Sequence, residues 1–216
     1  MAKAIKRERP ELELHGVDIS RNAIASASAD AQGVEFRVGP AERLPYDDGY
    51  FSAATMFDVL EHLIDPGQAL GEIARVLTPG ALFHIALPLE RQPRTIYHLI
   101  GAGTRWTAKL RYAGHIQAFS EDDYRGLATE HSLPVIRVRW SYQYLFSLID
   151  VLYFSYFQRR GGMTTSAEDY VTTRRGWGAA PMRLAWSAFS ALGWYEARAF
   201  RWTRGACGHF TCRKKG

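Results

Sequence analysis

The sequence is poor in cysteine and has no long apolar run, and both absences narrow the classes of protein that it can encode. No stretch of about 18 uncharged apolar residues occurs, which argues against a membrane-spanning helix. Residues 1–9 are too charged for the apolar part of a secretion signal. Cys207 and Cys212 are five residues apart in a strand-like stretch, so we expect them on opposite faces and unbridged. These features predict a cytoplasmic protein.

What is present is the composition of one folded domain with two unlike halves. Of the 216 residues, 47% are apolar and 23% are charged. Residues 1–100 carry 10 Lys and Arg against 14 Asp and Glu, whereas residues 101–216 carry 17 against 8 and all six tryptophans. The basic half is either a solvated surface or a surface for an anionic substrate or anionic lipid head groups.

Short apolar runs alternate with helical stretches in the first half, which predicts an α/β fold. Ser20 and Asp65 are expected to cap helices that begin at Arg21 and Pro66. Strand–helix–strand at this spacing indicates a parallel sheet covered by helices on both faces. The predicted strands of this half are residues 12–18, 34–38, 51–57 and 81–87.

The second half is less regular. We expect a core over residues 1–140 and an aromatic, basic segment over residues 141–216 that adds cap helices and a final strand to the same domain. Residues 142–160 carry apolar side chains at helical spacing. This helix is either a cap over the sheet or pocket, or an interfacial helix in peripheral contact with a membrane. The predicted apolar face comprises Tyr142, Leu145, Phe146, Ile149, Leu152, Tyr153 and Tyr156.

Four segments in the first half resemble the class I S-adenosylmethionine-dependent methyltransferases, in particular the methyltransferase type 11 group. They are residues 16–20 (GVDIS), 41–51 (AERLPYDDGYF), 58–63 (DVLEHL) and 72–80 (EIARVLTPG). The resemblance implies a Rossmann-like methyltransferase sheet with helices on both faces and helical or irregular C-terminal additions. It also implies S-adenosyl-L-methionine as cofactor and methyl transfer to a small-molecule or lipid-like acceptor.

The resemblance implies cofactor contacts at five residues. A carboxylate at the carboxyl end of a parallel strand faces the ligand crevice, so Asp18, followed by Ile19, is expected to accept the ribose hydroxyls. Ala41 and Glu42 are expected beside the adenine, and Asp58 near the methionine moiety. The residues alone leave other interpretations open: Asp18 as the start of a turn, and Glu42 as a solvated side chain. Pro40 stands where the family usually has an acid.

Two histidines are the candidate catalytic residues. A base is required only if the acceptor is a protonated hydroxyl or an acidic carbon, and imidazole titrates near neutrality. His62 lies in the DVLEHL segment, and His115 begins the later HIQAFS segment. Each has a plain alternative as a packing or capping residue. No metal ligands are predicted.

The family's glycine-rich loop after the first strand has no counterpart before Asp18. We therefore interpret the sequence as truncated at its N-terminus by one strand and this loop. The strands that end at Asp18 and Phe57 would then flank a slot about 9–10 Å wide. We expect them either to pair directly or to be separated by another segment or chain. In this form the chain should be unstable or oligomeric, and should bind the cofactor weakly.

Two other functions compete with methyl transfer. One is a non-catalytic remnant of this fold, and the other is a peripheral membrane-binding protein in which the basic half contacts the membrane. Nucleic-acid binding is not predicted, because the arginines are spread without a recognised motif. Residues 92–112 and 142–178 are expected to cover the carboxyl ends of the strands as a substrate lid.

Overall fold

The computed structural model describes residues 1–101, 108–109, 113–160 and 191–216. In these ranges the chain has six strands, and seven helical elements have defined bounds. The strands are β1 (Leu14–Asp18), β2 (Val34–Val38), β3 (Phe51–Phe57), β4 (Leu77–Pro88), β5 (Val135–Ser141) and β6 (Cys207–Arg213). The helices are α1 (Ala2–Glu8), α2 (Arg21–Ser28), a 3-10 turn (Leu60–His62), α3 (Pro66–Val76), α4 (Ile96–Ile100), α5 (Glu121–Glu130) and α6 (Leu145–Arg160). Residues 191–199 are also helical.

The strands form two sheets. β1 and β2 pair in parallel, with Gly16 opposite Phe36. The second sheet has the order β3-β4-β6-β5. In it β3 and β4 are parallel, whereas β6 runs antiparallel to both neighbours. The last strand in the chain thus lies between β4 and β5, so residues 207–213 complete the sheet that residues 51–141 begin.

The helices begin where the sequence predicts, because their capping side chains replace missing backbone partners. The hydroxyl of Ser20 accepts the backbone N–H of Ala23, and the carboxylate of Asp65 accepts that of Gln68. Ser120 and Asp123 form a capping box at the start of α5. α2 ends at Ser28, and β4 begins at Leu77, earlier than the predicted start at residue 81.

The main core lies between the four-stranded sheet and helices α3 and α5. Leu70 of α3, Phe83 of β4 and Phe210 of β6 are fully buried. The ring of Tyr124 in α5 lies 4.5 Å from that of Phe210, centroid to centroid. This packing holds the carboxyl ends of β3 and β4 in place, and the candidate site follows both strands.

The slot predicted between β1 and β3 is present as a break between the two sheets. Direct pairing of β1 with β3 is not observed, because the two strands belong to separate sheets, and no described strand lies between them. Filling of the slot by another chain stays a prediction. The sheets touch instead at the start of the strands, where the His15 ring lies 5.3 Å from that of Phe51. Ala53 and Thr55 of β3 are also exposed, although residues 51–57 are mostly apolar.

The aromatic helix forms, but it buries a different face from the one predicted. Phe146 and Phe154 of α6 are buried, whereas Leu152 is 60% exposed and Tyr156 is 49% exposed. Polar contacts of one residue, Asp150, account for this difference. Asp150, on the buried side, forms an ion pair with Lys109 and accepts a hydrogen bond from the Tyr97 hydroxyl. Pairing this partly buried carboxylate stabilises the observed orientation of the helix.

The described parts of the two predicted lid segments contact each other. α4 packs against α6 through Tyr97 and Val151. Residues 102–107, 110–112 and 161–190 lie outside the described residues, and with them much of the predicted lid. Within the described ranges, no helix combines the length and apolar character needed to cross a bilayer.

Candidate active site

The candidate catalytic histidines, 53 residues apart in the sequence, lie side by side. The ring centroids of His62 and His115 are 4.9 Å apart and the rings are perpendicular. Backbone hydrogen bonds join their segments, because the carbonyl oxygen of Glu61 accepts the N–H groups of Ile116 (2.9 Å) and Gln117 (3.0 Å). The 3-10 turn after β3 and residues 114–117 therefore form one structural unit.

Hydrogen bonds determine which ring nitrogen carries the proton in each of the two imidazoles. Nδ1 of His62 is 3.0 Å from the carbonyl oxygen of Gly114, which can only accept, so Nδ1 must carry the proton. Nδ1 of His115 is 2.7 Å from Oε1 of Glu90 and donates to that carboxylate. In the neutral form, each ring therefore presents the lone pair of Nε2. His115 is buried and His62 is partly exposed, so His62 is the one that an acceptor can contact.

Two buried glutamates that sequence reasoning did not select complete the site. Glu61 is fully buried and Glu90 is 2% exposed. Burial raises the pKa of Glu61 to about 7. Burial by itself would also raise the pKa of Glu90, but the hydrogen bond from His115 and the charge of Lys109 outweigh it and lower that pKa. The sequence held one signal: Glu61 lies between Leu60 and His62 in the DVLEHL segment that resembles the methyltransferases.

A buried lysine forms the far side of this polar interior. Nζ of Lys109 lies 3.0 Å from Oδ2 of Asp150 and 4.9 Å from the ring centroid of Tyr97. Burial alone would lower the pKa of Lys109, but Tyr97 and Asp150 outweigh burial and raise it. Lys109 thus stays positively charged and compensates the buried carboxylate of Glu90. No sequence pattern marked Lys109.

The predicted cofactor residues fall into two groups, one on each sheet. Asp18 is exposed at the end of β1, with Ile19 beside it, and its Oδ1 accepts the N–H of Ser20 at 2.7 Å. The loop after β2 is attached to this end, because Gly39 donates its N–H to the carbonyl oxygen of Asp18. Ala41 and Glu42 in that loop are half-buried.

The other group comprises Asp58 and the histidine pair. Asp58 follows β3 with φ of +50°, a conformation that a non-glycine residue adopts at some cost. It is exposed, and its N–H donates to the carbonyl oxygen of Ala86 in β4. This left-handed residue turns the chain sharply out of the strand, which places the 3-10 turn and its two site residues beyond the end of β3.

A surface groove of about 640 Å³ lies along β2 and the loop that follows it. Arg37, Pro40, Tyr46 and Tyr50 are among its lining residues, and the Arg37 guanidinium carbon is 4.7 Å from the centroid of the Tyr46 ring. Neither Asp18 nor the histidine pair lines this groove. It is therefore separate from the histidine pair, although Gly39, Pro40 and Arg43 of its lining belong to the loop that carries Ala41 and Glu42.

Comparisons with known proteins find similarity to methyltransferases. Residues 1–85 match the family model described as a methyltransferase domain. A demethylmenaquinone methyltransferase from Thermus thermophilus is 34% identical over 104 residues, which are 46% of this chain and 47% of that protein. A ubiquinone/menaquinone biosynthesis C-methyltransferase from Desulfotalea psychrophila is 34% identical over 82 residues, which are 37% of this chain and 33% of that protein. Residues 1–85 are thus similar to a methyltransferase domain, in agreement with the resemblance seen in the sequence.

Solved structures support the same fold. A methyltransferase from Methanosarcina mazei superposes with a TM-score of 0.56 at 15% identity, covering 98% of this chain and 86% of that one. The [4+2]-cyclase SpnF superposes with a TM-score of 0.59 at 19% identity, covering 97% of this chain and 69% of that one. The Rossmann-like fold expected from the sequence is thus confirmed. The matched region spans less than half the length of the two curated relatives above.

The residues present fit the nucleoside part of S-adenosylmethionine, the cofactor that the sequence resemblance implies. The exposed carboxylate of Asp18 at the strand end can accept two ribose hydroxyls, and the loop with Ala41 and Glu42 is attached beside it.

Proposed function

We propose that this chain transfers a methyl group from S-adenosylmethionine to a small-molecule or lipid-like acceptor that carries an acidic hydroxyl. The observation that carries the proposal is the free Nε2 of the partly exposed His62, held beside His115 after β3. When bound, the cofactor supplies an electrophilic methyl group with its own leaving group. The protein's task is then to position the acceptor and to take its proton.

Each of the chain's own residues has a defined part in this proposal. Nε2 of His62 accepts the acceptor's proton, and the carbonyl oxygen of Gly114 keeps the ring oriented through Nδ1. His115, held by Glu90, packs against the His62 ring and fixes its position. Asp18, Ile19, Ala41, Glu42 and Asp58 are proposed to hold the cofactor.

The names of the relatives suggest which acceptors to test first. Two of them act on menaquinone or ubiquinone precursors, and a third, 36% identical over 76 residues, is a norajmaline N-methyltransferase from Rauvolfia serpentina. A quinol carries hydroxyl groups whose ionisation also activates the ring carbons. A proton acceptor such as His62 would serve either oxygen or carbon methylation of such a ring.

Transfer of a labelled methyl group tests this function. The chain would be incubated with S-adenosylmethionine labelled in the methyl group and with quinols, phenols and amines of increasing apolar tail length. We expect label in a quinol or phenol product, and a fall in kcat of about 10²–10⁴-fold in His62→Asn with unchanged cofactor affinity. His98→Asn, an exposed histidine on α4, is the matched control. Absence of label in every acceptor, or equal rates for His62→Asn and the wild type, would overturn the proposal.

A further inference from the structure

Three acceptor groups face one another in the interior of the site without a donor between them. Oε1 of Glu61 lies 3.8 Å from Nε2 of His62 and 3.9 Å from Nε2 of His115. Neither oxygen of Glu61 has a hydrogen-bond partner among the described residues, although the side chain is fully buried. Leaving a buried carboxylate unpaired costs free energy that a folded protein normally avoids. A positively charged occupant would remove this cost.

The orientation of both imidazoles favours a metal cation as that occupant. Each Nδ1–H is committed to an oxygen, of Gly114 for His62 and of Glu90 for His115, so each Nε2 keeps its lone pair, and both Nε2 atoms lie within 3.9 Å of Oε1 of Glu61. A histidine that donates its second ring N–H to a carboxylate or carbonyl is the usual arrangement around a protein-bound metal. A proton on either Nε2 would satisfy Glu61 less well, because 3.8–3.9 Å is too long for a hydrogen bond.

The spacing of the three ligand atoms suits a small cation. Zinc binds histidine nitrogen and carboxylate oxygen at about 2.0–2.2 Å, so two ligands of one ion are at most about 4.3 Å apart. The two distances to Glu61 meet this limit. All three ligand atoms lie within 4.8 Å of one another. A shift of about half an ångström by the exposed His62 ring would therefore bring all three within reach of one ion.

We infer that Glu61, His62 and His115 bind a divalent first-row transition cation such as Zn²⁺. Two imidazoles and one carboxylate suit Zn²⁺, Mn²⁺, Co²⁺ or Fe²⁺, whereas Mg²⁺ and Ca²⁺ favour ligand sets made of oxygen. Three protein ligands leave a coordination position open, which is the pattern of catalytic rather than structural sites. This inference differs from the expectation from the sequence, which named no metal ligands.

A cation here would change how an acceptor is activated. It would hold the acceptor's hydroxyl oxygen at the open position and favour loss of the proton, which takes over the task proposed above for free His62. This consequence rests on the proposed function, whereas cation binding itself does not. Binding is therefore measured without cofactor or acceptor, so that failure of one idea leaves the other testable.

Titration of the untagged, chelator-treated chain with Co²⁺ and Zn²⁺ tests the site. We expect one equivalent in calorimetry and visible absorption bands from bound Co²⁺, which Zn²⁺ displaces. Glu61→Gln and His115→Asn should weaken binding at least tenfold. Glu90→Gln, which removes only the orienting carboxylate, should weaken it about 10–100-fold. Glu130→Gln, at the exposed end of α5, is the matched control.

Two results would overturn the inference. One is the absence of a saturable equivalent in excess Co²⁺, which would mean that a proton or water balances Glu61. The other is binding that Glu61→Gln and His115→Asn leave unchanged, which would place the cation elsewhere. Circular dichroism of each variant checks its fold, and Glu61→Gln should fold at least as well as the wild type because its carboxylate has no partner to lose.

Discussion

Replacing Glu61 by methionine should stabilise the metal-free chain. The Glu61 side chain is fully buried and neither carboxylate oxygen accepts a hydrogen bond among the described residues. An unsatisfied buried polar group costs about 1–3 kcal/mol. Methionine has nearly the same length, is flexible enough to fill the space, and keeps the backbone carbonyl that holds Ile116 and Gln117. We therefore expect a gain of about 1–3 kcal/mol in the free energy of unfolding, or about 2–4 °C in Tm per kcal/mol.

Urea unfolding in the presence of a chelator measures this gain, provided that the m-value is unchanged. Glu72→Met is the matched control, because Glu72 accepts the N–H of Leu44 at 2.8 Å and two N–H groups of Arg75. That variant should lose about 1.5–3 kcal/mol. The reasoning fails if Glu61→Met is less stable than the wild type, since the carboxylate would then have a stabilising partner. Excess Zn²⁺ should narrow or reverse the difference, because only the wild type gains stability from the ion.

Three further outcomes follow from the described contacts. Asp18→Ala should weaken S-adenosylmethionine binding about 10–100-fold, since a charged hydrogen-bond acceptor is worth about 1.5–3 kcal/mol; unchanged affinity in calorimetry would remove Asp18 from the site. Burial lowers the pKa of His84 and of His209, so the folded state binds fewer protons than the unfolded one and stability should fall as the pH drops below about 6.5. His84→Gln should flatten this fall in urea titrations at several pH values, and an unaltered pH dependence would count against it. The open edge of β3 should make the chain self-associate, and Thr55→Lys should reduce that self-association. Analytical ultracentrifugation would measure both. A wild type that stays monomeric at every concentration would contradict this prediction.

Local sequence determined the strands, the helix starts and the order of the elements. Ser20 and Asp65 begin helices because their side chains accept backbone N–H groups a few residues away, a contact that requires no other part of the chain. Residues 34–38 alternate apolar and polar side chains, and this local pattern by itself indicates strand β2. Cys207 and Cys212 are both free, as their odd spacing along one strand predicts.

Tertiary structure alone decided which polar groups became buried together. Glu61 and Glu90 look like ordinary surface residues in the sequence, because their burial depends on how the segments after β3 and β4 fold over each other. The face that α6 buries was likewise set by Lys109 and Tyr97, which approach Asp150 from outside the helix. The sequence could nominate His62 and His115 separately, but their contact depends on hydrogen bonds between segments about 50 residues apart, and no local pattern encodes such a distance.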